Sequence, residues 1–323
     1  MLTAGMTSLE LTQHAIEFRG PPRLPVLYFN RDTGQSDVVS TGCAPAPNVR
    51  PATAGQTEWG YAWRRLDGTM GQPENPPLAD PASLAAYVPP DPWAPGRLTH
   101  VPDWAAAHAG KFRRFGLGIT GFNQATFLRG FESFLLDLAA DPAAAARVLD
   151  IVLAFENALI ERVAGLPLEA VGFADDWGTQ HGLIVSPAAW RKVFRPRYAE
   201  QFERVHRAGK KVWFHSCGDV WDIIGDLIDI GVDVLELLQP DVFGIERLGG
   251  EFGGKVCFCC AVDHQRVALT GTRAEVFAYV RRLRQALGRF DGGLIGYIED
   301  YASLGMGEDN YRWLCEAFEA QGA

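Results

Sequence analysis

The sequence predicts an α/β fold built on parallel strands, and two features carry that expectation. The first is the stretch from Lys210 to Gln239, which reads as one strand–helix–strand unit. Val212, Trp213 and Phe214 form a short apolar run suited to a buried strand. Val220, Ile223, Ile224, Leu227 and Ile228 follow at helical spacing, Gly231 stands where the helix should stop, and a second strand runs from Val232 to Leu238. Parallel strands joined by a helix make a right-handed crossover, and such sheets gather their chemistry at strand C-terminal ends. The second feature is the length of 323 residues, which suits one large α/β domain.

The remaining elements follow along the chain. Leu9 to Phe18 reads as a short amphipathic helix, and Leu24 to Asn30 as a first buried strand that ends in the polar loop F-N-R-D-T-G-Q. From Ser40 to Arg97 the chain is rich in proline and poor in periodicity. Trp59, Trp63 and Trp93 mark this stretch as a packed cover over one end of the fold, because disordered segments hold few aromatics. Arg114 to Ile119 is a strand that runs into G-L-G-I-T-G, formally a dinucleotide fingerprint. That motif also needs a strand after its helix. Here the helix through Leu138 leads into another helix, capped by Asp141 and started by Pro142, so no nicotinamide site is expected. Glu169 to Ala174 forms a strand that ends in Asp175-Asp176-Trp177-Gly178. Ser186 and Pro187 open the next helix, in which Pro196 should impose a kink. K-V-C-F-C-C-A-V-D from Lys255 is the strand after the central unit, and Thr272 with Glu275 forms a capping box for a helix ending near Gly288. Gly293 to Ile298 is the last strand, followed by Glu299-Asp300-Tyr301.

Composition excludes several classes of function. A net charge of −9 is wrong for nucleic acid, whose phosphates demand a basic face. No apolar run approaches a membrane span, and Met1 to Phe18 lacks the basic start and apolar core of a signal peptide. Six cysteines at irregular spacing point to a reduced, cytoplasmic protein and not to a disulfide scaffold.

The chemistry-bearing residues cluster at strand ends. His215 and Cys217 share one strand terminus and point the same way, as two ligands of a borderline-soft ion such as zinc must. The alternative is a packed histidine beside a buried cysteine. Asp176, at the preceding strand end, is a candidate base, ligand orienter or support for a metal, whereas Asp175 suits bonding to loop amides. Cys260, last in its strand, is the candidate third ligand. Adjacent strand residues face opposite ways, so only one of Cys259 and Cys260 can aim at that end. Glu236, Glu299 and Asp300 are alternates, since carboxylates also bind zinc.

H-S-C-G-D-V followed by D-L-I-D-I-G-V-D-V-L-E-L-L-Q-P resembles the uroporphyrinogen decarboxylase superfamily, whose relatives include zinc-dependent methyltransferases that work with corrinoid proteins. F-L-R-G-F-E-S-F-L-L-D-L from Phe127, D-D-W-G-T-Q from Asp175 and E-W-G-Y-A-W-R-R-L-D-G from Glu58 agree with it, and the likeness runs from about Pro22 to the C-terminus. It implies a (β/α)8 TIM barrel in one domain over residues 1–323, with 1–110 as an N-terminal extension and proline-rich cover. Strands are visible near residues 26, 114, 169, 211, 232, 255 and 293, and the second barrel strand has no clear signature. The resemblance further implies zinc on His215 and Cys217, with cobalamin on a partner corrinoid protein as methyl donor or acceptor. Asp176, Arg31 and Gln239 are the candidate catalytic residues. Two departures stand out. The decarboxylases carry a second arginine where Gln35 follows Arg31, and a histidine near the last strand; the methyltransferases place a cysteine in that last loop. This chain has none of the three. The expected function is zinc-dependent methyl transfer with a small thiol or methoxy substrate; the alternatives are a metal-free decarboxylase or a non-catalytic metal- or corrinoid-binding barrel.

Overall fold

The structure is a computed structural model that describes residues 5–47, 55–65 and 71–320. The first residues of the Met1–Phe18 stretch, the middle of the cover and the end of the Glu58–Gly68 motif lie outside the described residues. Ten strands are β1 (Val26–Tyr28), β2 (Val38–Gly42), β3 (Ala62–Arg64), β4 (Gln72–Glu74), β5 (Phe112–Ile119), β6 (Ala170–Ala174), β7 (Lys211–His215), β8 (Val234–Leu237), β9 (Cys257–Ala261) and β10 (Leu294–Ile298). β3 and β4 make a small antiparallel hairpin. The other eight form one sheet in the order β1-β10-β9-β8-β7-β6-β5-β2, with every pairing parallel. This is the (β/α)8 barrel, nearly closed.

The missing barrel strand is β2. It escapes notice because Q-S-D-V-V-S-T-G holds only two aliphatic residues between turn formers. Side chains complete the seam between β1 and β2 where a ladder is absent. Asp37 N donates to Val26 O at 2.8 Å, Val26 N donates to Asp37 Oδ2 at 2.9 Å, and Tyr28 N donates to Ser36 Oγ at 3.0 Å. Arg23 grips both Asp37 oxygens at 2.6 Å and holds that carboxylate in place.

Strand alternation divides the core in two. Val171, Phe173, Val212, Phe214, Leu235, Phe258 and Cys260 face the surrounding helices. Leu27, Val38, Trp213, Val234, Cys257, Cys259, Ile295 and Tyr297 fill the barrel interior. Full burial of a side chain such as Phe214 stabilises the fold by about 1.5–3 kcal/mol. The first helix, Ser8–Ile16, starts with a capping box at Thr7 and Glu10 and puts Ala15 and Ile16 into the interior cluster. Gly293 N donates to Ala15 O at 2.8 Å, so this helix closes the N-terminal end of the barrel.

Local signals hold where they are chemically strong. Asp141, Ser186 and Thr272 cap their helices, and the chain breaks at Phe194 between helices Pro187–Val193 and Arg195–Arg207. In the cover, Trp59 packs on Phe155 with ring centroids 5.1 Å apart, and Tyr61 and Trp63 pack on Phe127. The wholly buried Arg97 pairs with Glu58 through contacts of 3.0 and 2.6 Å. Among the described residues no helix is long and apolar enough to cross a membrane.

Candidate metal centre

Register brings the site together. Ala174 pairs with His215, and His215 pairs with Glu236, so β6, β7 and β8 end level with one another. The chain leaves β7 through Ser216-Cys217-Gly218 and leaves β6 through Asp175-Asp176-Trp177-Gly178. These two loops touch backbone to backbone. Trp177 N donates to Ser216 Oγ at 3.0 Å, Gly178 N to Cys217 O at 3.1 Å, and Asp219 N to Thr179 O at 2.7 Å. Gly218 has φ +73°, and a Cβ there would lie 2.3 Å from Gly178 O. Only glycine allows that approach.

The result is a compact donor set. Asp176, His215 and Cys217 each offer one ligand atom, and these atoms all lie within 4.8 Å of one another. His215 Nε2 is 3.4 Å from Cys217 Sγ and 3.4 Å from Asp176 Oδ1. Asp176 Oδ1 also accepts from Cys217 N at 2.9 Å. Its other oxygen accepts from Asn123 Nδ2 at 3.3 Å, and Asp176 N donates back to Asn123 Oδ1 at 3.2 Å.

On the far side of the imidazole, Nδ1 lies 3.0 Å from Glu236 Oε1, an ion-pair distance. Glu236 is buried, and its Oε2 accepts from Trp213 Nε1 at 2.6 Å and Arg114 Nη1 at 2.9 Å. Burial alone would raise the Glu236 carboxyl, but Arg114, His215 and Trp213 outweigh it and hold it down to about 2. For Asp176 burial is likewise outweighed, by the hydrogen bond and charge of His215 and by Cys217, and it too sits at about 2. Burial pushes the His215 imidazole down, yet Asp176, Cys217 and Glu236 together push it well above its ordinary value. The site is built to hold positive charge between two carboxylates.

Asp175 has a different task. It accepts from Phe122 N and Asn123 N at the start of the helix Gly121–Arg129, and from the Tyr198 hydroxyl. Gly121, last in the G-L-G-I-T-G run, has φ +42° and leaves space for Asp175, since a Cβ there would lie 2.4 Å from Asp175 Oδ2.

The other residues singled out in the sequence are scattered. Cys260 belongs to the cluster between barrel and helices, turned away from His215 and Cys217, while Cys259 and Cys257 face the interior. The physical reason is parity. Glu236 pairs with Cys259, and Cys260 pairs with Leu237, an outward residue. Glu236 itself is the neighbour of His215 Nδ1 and sits behind the donor set. Glu299 accepts from the Tyr297 hydroxyl at 2.9 Å. Asp300 accepts from Arg31 Nη1 at 3.3 Å and caps Ala302 N at 3.0 Å. Arg31 makes a two-pronged contact with Glu308 at 3.0 and 2.7 Å and stacks over Tyr311. Gln239 is buried and its Oε1 accepts from Gln180 Nε2 at 3.4 Å, beside the Asp176 loop.

Four residues near the donor set carry no sequence signal as site residues by themselves: Asn123, Arg114, Trp213 and Tyr301. The Tyr301 hydroxyl is buried, and its ring stacks on His264 with centroids 5.1 Å apart. Arg114 and Trp213 carried one usable signal, being inward-facing polar groups on β5 and β7, the barrel strands on either side of β6.

Residues 65–298, more than half of the chain, match the family model of uroporphyrinogen decarboxylase (URO-D). The chain belongs to the uroporphyrinogen decarboxylase family. No curated protein matches it. Among solved structures, a methyltransferase from Methanosarcina mazei is similar at 16% identity and a TM-score of 0.52. That match covers 68% of this chain and 62% of the methyltransferase, so the chain spans less than two thirds of it. The 3-keto-D-glucoside 4-epimerase YcjR of E. coli is 14% identical with a TM-score of 0.42, over 68% of this chain and 85% of that one. The YdhT protein of Bacillus subtilis is 10% identical with a TM-score of 0.43, over 96% and 87%. At 16% identity the likeness to the methyltransferase is one of fold.

Proposed function

We propose that this uroporphyrinogen decarboxylase family member is a zinc-dependent methyltransferase. It moves a methyl group between a small thiol or methoxy substrate and the cobalamin of a partner corrinoid protein. The observation that carries the reading is the donor set of one carboxylate, one imidazole and one thiol. Tetrahedral zinc with ordinary ligand distances has edges of roughly 3.3–3.6 Å between neighbouring ligand atoms. The two 3.4 Å separations around His215 Nε2 match those edges, and the Asp176 and Cys217 ligand atoms lie within 4.8 Å of each other. Three protein ligands leave the fourth position for a substrate atom, the pattern of catalytic rather than structural zinc.

When bound, zinc supplies a Lewis acid that stabilises the anionic form of a thiol or of a leaving oxygen. The chain's own groups orient and exclude. Glu236 fixes the ring of His215 from behind, so Nε2 faces the substrate side. Asn123 holds the Asp176 oxygen that does not face His215. Gln180 and Gln239 line the same strand ends with neutral amides, suited to a small polar substrate. The decarboxylase alternative needs free cations for several carboxylates, because an unpaired buried charge is costly. Arg31 is already committed to Glu308 and Asp300.

The test follows the methylcobalamin spectrum with candidate thiol and methoxy substrates, with and without zinc. Wild type is expected to exchange the methyl group only with zinc, and Cys217→Ser to lose the exchange. Release of carbon dioxide from uroporphyrinogen, unaffected by Cys217→Ser, would hand the case to the decarboxylase.

A further inference from the structure

The barrel interior holds a buried polar chain that starts far from the donor set. Arg114 lies on β5, three strands away from Glu236 on β8 in the sheet order. Its guanidinium nevertheless reaches Glu236 Oε2 at 2.9 Å, crossing the interior past β6 and β7. Each strand that it passes makes room or support. On β6, Gly172 has no side chain where a Cβ would lie 3.1 Å from Arg114 Cδ. On β7, the guanidinium stands over the Trp213 ring at 4.8 Å, and Trp213 Nε1 donates to the same Glu236 oxygen at 2.6 Å. On β2, Ser40 Oγ accepts from Arg114 Nε at 3.0 Å. Arg114 is therefore held at both ends and along one face. Glu236 in turn has one oxygen fixed by two donors and the other 3.0 Å from His215 Nδ1.

We propose that Arg114 is a positioning residue for the metal. It fixes the Glu236 carboxylate from across the barrel, and Glu236 fixes the imidazole of His215 so that Nε2 faces Asp176 and Cys217. The inference rests on the zinc reading of the site. Physically, a carboxylate behind a ligating histidine sets the ring's orientation and basicity, and loss of such a support costs about tenfold or more in metal affinity. Arg114 touches no ligand, yet without it Glu236 loses its charged partner and part of its register. A guanidinium suits the task better than an ammonium because its planar fork can serve Glu236 and Ser40 together while it lies flat on an indole.

The experiment is zinc affinity by competition with a chelator, on the full-length protein. Arg114→Met is expected to weaken zinc about tenfold, and Arg114→Lys by less, since it restores the charge without the fork. Arg114→Met with Glu236→Gln should bind zinc no more weakly than Glu236→Gln alone, because the two act through one chain of contacts. Melting of the zinc-free variants reports the fold separately, and Arg114→Lys carries the test where Arg114→Met fails to fold. The d–d spectrum of the cobalt-substituted protein should shift in Arg114→Met, a change that lost packing alone would not produce. Zinc affinity within twofold of wild type in both Arg114 variants, or additive losses in the double variant, would overturn the proposal and leave the zinc reading standing. A wild type that binds no zinc would remove both.

Discussion

The two sides of the barrel's C-terminal end differ in a way that explains the site. β6, β7 and β8 end level, and donors from the end of β7 and from the loops after β6 and β7, backed by a carboxylate on the third strand, converge within 4.8 Å. Across the barrel, β1, β9 and β10 and the loops after them also carry polar and sulfur groups, but among the described residues none joins that cluster. Arg31 and Asp300 pair with each other, Glu299 serves Tyr297, and Cys260 faces the helices. Residue chemistry is similar on the two sides. What differs is register and parity: a ligand set needs inward positions at one level, and a single-residue offset turns a thiol into core filling.

The comparison predicts unequal sensitivity. Gly218→Ala should be the most damaging change outside the donor set itself. Its Cβ would meet Gly178 backbone at a left-handed φ, at a cost of about 3 kcal/mol or more. A thermal melt checks this, and a variant as stable as wild type would mean that the two loops can part.

A pH profile probes the layer beneath the same side. Burial lifts the Glu156 carboxyl to about 7, although Gln201 and the Gly121 amide bond to it. The folded protein then keeps a proton that the unfolded chain releases above about pH 4.5, so stability falls as pH rises towards 7. The full effect is about 3 kcal/mol. Glu156→Gln should flatten that slope, and urea melts across the window would show it.

On the opposite side the effects are smaller. Cys260→Ala should leave metal content unchanged and cost about 1–2 kcal/mol for the space left in the core. Arg31→Ala should leave thermal stability almost unchanged, because the exposed pair with Glu308 is screened by solvent. Metal loss in either variant would erase the distinction between the two sides.

The sequence made part of this legible. His215 and Cys217 could be placed because a strand–helix–strand unit fixes both its strand ends; Glu236 on the next strand reads as an alternate ligand, whereas the structure sets it behind His215, at Nδ1. Asp176 was visible as a functional carboxylate but not as a partner of the His215–Cys217 pair, since its approach to Cys217 depends on a contact between two glycines, Gly178 and Gly218, far apart in the chain. Cys260 stands last in the strand as the sequence shows it, but the strand continues to Ala261, and pairing with β8 decides that Cys259 and not Cys260 faces in. β2 lacked an apolar signature because its seam with β1 is completed by Asp37 and Ser36. Arg114 was illegible in another sense, as its partners come from four other strands.

The central claim is that the metal is held by one sulfur and two lighter ligands from the β6 and β7 loops. X-ray absorption at the zinc edge of the purified, zinc-loaded protein tests it most directly. The account predicts one sulfur at about 2.3 Å with the remaining shell of nitrogen and oxygen near 2.0–2.2 Å. In Cys217→Ser the sulfur contribution should vanish, and in Cys260→Ala the spectrum should not change. Two sulfur neighbours in the wild type, or a sulfur that survives Cys217→Ser, would contradict it.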